Sequence, residues 1–154
     1  MKYYISLWML IFLIACNAKT VKNNSSELIE IQFSVQYTSE YCGGAYPPDE
    51  VLKALDVERP LKNKELIIKR KDADETYSLM CDAKGVASLS LPQGQYLVFY
   101  PIKMTAEPSE NALSVEQCAQ WKKTPDTAFA VTADTKNIDL KVRQTCNPCE
   151  APRA

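Results

Sequence analysis

Six cysteines and no histidine bound the chemistry open to this 154-residue chain. The cysteines are Cys16, Cys42, Cys81, Cys118, Cys146 and Cys149. Thiols can cross-link a chain, bind a soft metal, or exchange electrons as a Cys-x-x-Cys pair. Cys146-Asn147-Pro148-Cys149 has the spacing of such a pair. Thioredoxin-type chemistry needs the first cysteine at a helix N-terminus, where the dipole lowers the thiol pKa. Here Glu150-Ala151-Pro152-Arg153-Ala154 follows, short and broken by proline, so a thiol-redox role for Cys146 and Cys149 is the secondary reading. Zinc prefers two Cys-x-x-Cys pairs where this chain has one, and no metal or other cofactor is expected. Lack of histidine removes the Ser-His-Asp and Cys-His nucleophile pairs and the commonest general base. Carboxylate-only chemistry remains, and nothing in the sequence points to it. No catalytic residue is assigned, and a non-enzymatic protein is expected.

The first residues place these cysteines in a compartment. Met1-Lys2-Tyr3-Tyr4 precedes a run from Ile5 to Ile14 that is apolar except for Ser6, then Ala15-Cys16. A positive start, a short apolar stretch and a small residue before the cut make a secretory signal peptide over residues 1–15. The stretch is too short for a spanning helix, which needs about 20 residues. Leu13-Ile14-Ala15-Cys16 resembles the lipobox of bacterial lipoproteins. That resemblance implies cleavage before Cys16, diacylglycerol on its sulfur and an acylated amino terminus. Two or three acyl chains, at about 0.8 kcal/mol per buried CH₂, hold a protein on a membrane almost permanently. Residues 16–27 are polar after the cysteine and read as a flexible tether. Asn17 is not the aspartate that resembles an inner-membrane retention signal, and no acidic cluster of the surface-export type follows. The expected location is the outer membrane, facing the periplasm.

Export favours disulfides for the other five cysteines, and an odd number leaves one thiol over. Cys81 lies in a strand beside Met80 and is the candidate free, buried thiol. Cys42, Cys118, Cys146 and Cys149 sit in loops, segment ends and the tail, where cross-links tie irregular chain to a sheet. Four cysteines allow three connectivities; bonds from tail to loop are favoured, Cys42 and Cys118 each taking one of Cys146 and Cys149.

Residues 28–154 suit one domain and must position these groups. Ile31, Phe33, Val35 and Tyr37 alternate with polar residues, as in a half-buried strand. The stretch from Ser39 to Pro48, with its Gly and Pro residues, demands a loop, and Asp49 to Leu55 fits a short helix with acids in its first turn. Strands follow over 66–70, 77–81, 86–91 and 95–100, separated by turns at 72–75, 82–85 and 92–94. The last of these is apolar on both faces and is expected to be central. Ser114-Val115-Glu116-Gln117 fits a capping box, after which Cys118 and Trp121 share one helix face. Two more strands, over 127–131 and 136–142, precede an irregular tail. About seven short strands with turn signals between them indicate an all-β, antiparallel β-sandwich.

Cys81-Asp82-Ala83-Lys84-Gly85-Val86, continuing through Leu91-Pro92-Gln93-Gly94-Gln95-Tyr96, resembles the carboxypeptidase regulatory-like domain, a transthyretin-type (prealbumin-like) β-sandwich. Asp82, Gly85, Leu91, Pro92, Gly94 and Tyr96 fall in register with that family, and Pro60-Leu61 opens the matching segment. Cys81 departs, standing where the family prefers threonine. The resemblance implies an architecture and no active site, since each shared residue builds a turn or a strand. The Cys42-Gly43-Gly44-Ala45 loop and the cysteine-bearing tail are similar to lipoproteins of Bacteroidetes.

The remaining charged and aromatic groups read as ordinary surface and core. Lysine plus arginine number 18 against 19 acids, and no basic stripe points to nucleic acid. Lys62/Lys64 and Lys69-Arg70-Lys71 read as a solvated face. Asp72, Asp74 and Glu75 lack the spacing of a calcium loop. Trp121 with the strand tyrosines could line a glycan platform, though such aromatics are more often core. The expectation is a lipid-anchored envelope protein, structural or binding, with a protein or glycan partner.

Overall fold

The alternating run around Phe33 becomes the spine of one sheet, and the turn chemistry on either side decides which strands reach it. In the computed structural model, residues 27–110 and 114–150 are described; the signal segment 1–15, Cys16 and the rest of the tether up to Ser26 lie outside them. Eight strands form two four-stranded sheets. They are β1 (Ile29–Ser39), β2 (Arg59–Pro60), β3 (Glu65–Arg70), β4 (Thr76–Met80), β5 (Val86–Leu91), β6 (Gly94–Phe99), β7 (Thr127–Val131) and β8 (Asn137–Gln144). Three short helices are α1 (Asp49–Leu55), α2 (Ile102–Thr105) and α3 (Val115–Lys123).

Strand β1 serves three partners. Its first half pairs antiparallel with β5, residues 36 and 37 pair with β2, and its other edge pairs with β8. The second sheet has the order β4-β3-β6-β7, which puts β6 inside it, as its two apolar faces require. Five of the six pairings are antiparallel; β1 with β8 is parallel, a feature that hydrophobic alternation alone does not reveal. The chain crosses from β7 in one sheet to β8 in the other through a turn in which Thr135 N donates to Thr132 O at 3.1 Å.

Ile31, Phe33 and Val35 from β1 meet Leu66, Ile68, Tyr96 and Val98 from the facing sheet in one buried core. Each large apolar side chain so buried contributes about 1.5–3 kcal/mol. Tyr96 stacks on Phe129 at 5.2 Å, Phe129 meets Phe33 edge-on at 5.4 Å, and the Tyr96 hydroxyl donates to Pro92 O at 2.6 Å. The aromatics of the strands are thus largely core.

Gly85 marks where β1 changes partner. Its carbonyl accepts from Val35 N at 2.8 Å, and Val35 O accepts from Leu61 N at 2.9 Å. The residue has φ 78°, and a Cβ there would lie 2.8 Å from Val35 O and 3.0 Å from Leu61 N. Asp82 closes the same turn by accepting from the amides of Lys84 (2.7 Å) and Val86 (2.8 Å), which hold its carboxyl below the usual carboxylate range. Gly85→Ala therefore loses stability by about 1–3 kcal/mol in urea denaturation. Gly94→Ala costs less, because a Cβ there meets only the movable Arg70 side chain, at 3.1 Å.

Candidate binding cleft

The connection between β6 and β7 and the C-terminal tail fold together into a cap on one end of the sandwich. Its core is small: Ala106, Cys118 and Cys149 are buried with Trp121 packed against them. Helix α3 begins as its sequence indicates, with Ser114 Oγ accepting from Gln117 N at 2.9 Å. The reciprocal reach of Gln117 is not among the hydrogen bonds of the described residues. Helix α1, by contrast, fully buries none of its residues.

What seats the cap is a buried ion pair. Lys103 Nζ lies 2.7 Å from Asp126 Oδ1, with side chains only 3% and 1% exposed. The same ammonium donates to Thr124 O at 2.9 Å and sits 5.2 Å above the Trp121 ring. Asp126 Oδ2 accepts from Tyr100 N at 2.8 Å, and Asp126 N donates to Val98 O at 2.8 Å. One carboxylate thus ends the β6–β7 ladder and receives the charge of α2.

Two disulfides complete the attachment. Cys42 pairs with Cys146 across 104 residues, and Cys118 pairs with Cys149 across 31, at Cα separations of 5.4 and 4.7 Å. Both tail cysteines therefore reach away from each other, one to the loop after β1 and one to α3. This is one of the two tail-to-loop connectivities that the sequence leaves open. It also corrects the secondary redox reading: Cys146 and Cys149 do not bond to each other. Cys81 is the free cysteine among the described residues, buried just after β4, and burial pushes its thiol pKa up, with Asp82 adding to the effect. A protonated, enclosed thiol is a poor nucleophile.

Between the cap and the end of β1 and β8 lies a cleft of about 690 Å³. Tyr41 and Glu40 stand on one side, Trp121 and Ile102 on another, and Gln144, Thr145 and Asn147 come from the tail. Trp121 Nε1 donates to Thr145 Oγ1 at 2.8 Å, and Glu40 Oε2 accepts from Cys146 N at 3.3 Å, so the walls are tied to one another. Tyr100 also lines the cleft; its hydroxyl is buried without a hydrogen-bond partner among the described groups. Burial first, and then the Asp126 carboxylate, raise its pKa far above the ordinary tyrosine value. The arrangement brings aromatic faces, amides and carboxylates into one concavity.

Sequence reasoning singles out Trp121, and the structure brings it to this cleft, half-buried. Tyr100, one of the strand tyrosines grouped with Trp121, also reaches the cleft, whereas Lys103 and Asp126, which carry no periodic or motif signal, are missed. The acidic turn 72–75 lies elsewhere, with Glu75 bonded to Arg70 and Tyr77. No group of three or more metal-ligating side chains forms among the described residues, and no described helix is long and apolar enough to cross a membrane.

The fold is an eight-stranded β-sandwich with a disulfide-tied cap. No protein-family model matches the chain, and no curated protein matches it in sequence. Among solved structures it is similar to a double mutant of the shaft pilin SpaA from Lactobacillus rhamnosus GG, at 12% identity and TM-score 0.38, over 77% of this chain and 51% of the pilin chain. It is also similar to a DUF3823 family protein from Parabacteroides merdae ATCC 43184, at 11% identity and TM-score 0.32, over 76% of this chain and 46% of that one. The chain thus matches about half the length of each neighbour.

Breaking a buried ion pair on one side leaves an unpaired charge, which costs about 3–5 kcal/mol. Lys103→Met is expected to destabilise by that amount in urea denaturation. The double variant Lys103→Met with Asp126→Asn recovers part of the loss, because it removes the stranded charge.

Proposed function

We propose that this chain is a lipid-anchored, non-enzymatic binding module of a bacterial envelope, built on a prealbumin-like sandwich. The observation that carries the reading is the pair of long-range disulfides, 104 and 31 residues in span. Such bonds persist in oxidising compartments, and a signal peptide cut between Ala15 and Cys16 delivers a chain to one. The resemblance to the carboxypeptidase regulatory-like domain is supported by where its residues fall. Asp82 and Gly85 shape the turn between β4 and β5, Leu91 to Gly94 lead into the next turn, and Tyr96 anchors the core.

Binding is supported by the cleft beneath the cap, whose walls are fixed by cross-links before any partner arrives, so little ordering entropy is lost on association. The chain has no histidine to act as a base, and its free thiol among the described residues, Cys81, is enclosed. A glycan partner is favoured by the composition of the cleft, where Tyr41 and Trp121 supply ring faces and Gln144 and Asn147 supply amides. A protein partner remains the alternative occupant. The anchoring residue is Cys16, and the membrane is the outer one, with the domain facing the periplasm.

Replacing Cys16 tests the anchor. In cells fed a labelled fatty acid, the native protein is expected to take up label and to partition with membranes into detergent. Cys16→Ala loses the label and the detergent partitioning. Uptake of label by Cys16→Ala at the native level would contradict the assignment.

A further inference from the structure

A second cleft, of about 520 Å³, shares Tyr100 and Gln144 with the first. Its other walls are Tyr37 from β1 and the segment around β2, which supplies Arg59, Lys62 and Lys64. Three cations thus line one concavity that contains no carboxylate. Of the acids nearest in sequence, Glu58 pairs with Lys141 at 2.6 Å and Glu65 bonds to Ser78, while Asp56 does not line the hollow. Among the described residues none of the three cations has an ion-pair partner, and the one side-chain bond they make is from Arg59 to Ala54 O.

The backbone brings them together. Asn63 adopts the left-handed conformation at φ 52°, and its amide donates to Asp82 O at 3.0 Å, so the turn from Leu61 is tight enough for Lys62 and Lys64 to line the same hollow. Like charges held around a concavity repel one another and focus a positive potential into it. All three side chains are exposed and border the same hollow. Tyr100, which also borders the hollow, has a buried hydroxyl with no hydrogen-bond partner among the described residues.

We infer that this cleft binds an oxyanion, a phosphate or carboxylate group seated between Arg59, Lys62 and Lys64. Arginine offers a planar fork that grips such a group with two parallel bonds, and the lysines add point charge. The group can belong to an acidic sugar or to a lipid headgroup at the membrane surface. The shared wall at Tyr100 and Gln144 makes the cleft an anionic subsite beside the larger one. The inference stands apart from the anchoring of Cys16, and its test reads a different signal.

The full-length protein, in neutral detergent and ¹⁵N-labelled, is titrated with inorganic phosphate, glucuronate, glucose and dihexanoyl phosphatidylglycerol. Saturable amide shifts are expected at Leu61 to Lys64 and at Tyr100 with the anions and not with glucose. Lys62→Glu with Lys64→Glu lowers the affinity at least tenfold while leaving the remaining spectrum in place. The neutral pair Lys62→Gln with Lys64→Gln, which spares the fold any new charge, lowers it less. Shifts at least ten times more sensitive to the phospholipid than to phosphate assign the group to a headgroup; equal or weaker lipid binding assigns it to a soluble or glycan anion. Absence of saturation with every anion, equal saturation with glucose, or unchanged affinity in the charge-reversed variant would overturn the site.

Discussion

A single ammonium group holds the two parts of this molecule together. Lys103 Nζ lies between the Asp126 carboxylate, the Thr124 carbonyl and the Trp121 ring, away from water. Taking both charges out of water carries a penalty of several kcal/mol per ion, offset only when the geometry is close and every polar atom is satisfied. Here Asp126 Oδ1 faces the ammonium at 2.7 Å, and Oδ2 accepts from Tyr100 N at 2.8 Å where the carboxylate ends the β6–β7 ladder. The cap has few apolar residues of its own, so hydrophobic burial cannot seat it as it seats the sandwich. The ion pair gives the cap one orientation, and the disulfides restrict the unfolded chain, each by about 2–4 kcal/mol on a chain-entropy account.

This division explains what was legible in the residues. The sandwich was read well because its information is periodic. Alternation in β1, apolar faces on β6 and the glycine and proline turns all report on the same core. The parallel partnership of β8 with β1 escaped, since alternation is the same for either strand direction. The crossing of Cys146 and Cys149 to separate partners was within reach because an irregular tail beside a sheet gains from being tied down. Which loop took which sulfur was not, because that depends on three-dimensional proximity. Lys103 and Asp126 were invisible for a different reason. A charged residue in a connecting segment ordinarily faces water, and nothing local distinguishes the pair that folds inward.

Function follows from the same geometry. The larger cleft exists because the cap is fixed against the ends of β1 and β8, and its walls are held by bonds from Trp121 to Thr145 and from Cys146 to Glu40. Tyr100 lies at the hinge of the arrangement: its amide binds Asp126, its ring lines both clefts, and its hydroxyl has no acceptor. A rigid recess with aromatic and amide walls lies next to a cationic hollow.

The cap and the larger cleft depend on the tail being cross-linked to two different parts of the fold. Peptide mass spectrometry of the unreduced protein, isolated from membranes with free thiols blocked at lysis, measures this directly. The predicted result is one peptide joining Cys42 to Cys146 and another joining Cys118 to Cys149. A peptide with Cys146 bonded to Cys149 would contradict it, because the tail would then be free of both the loop and the cap.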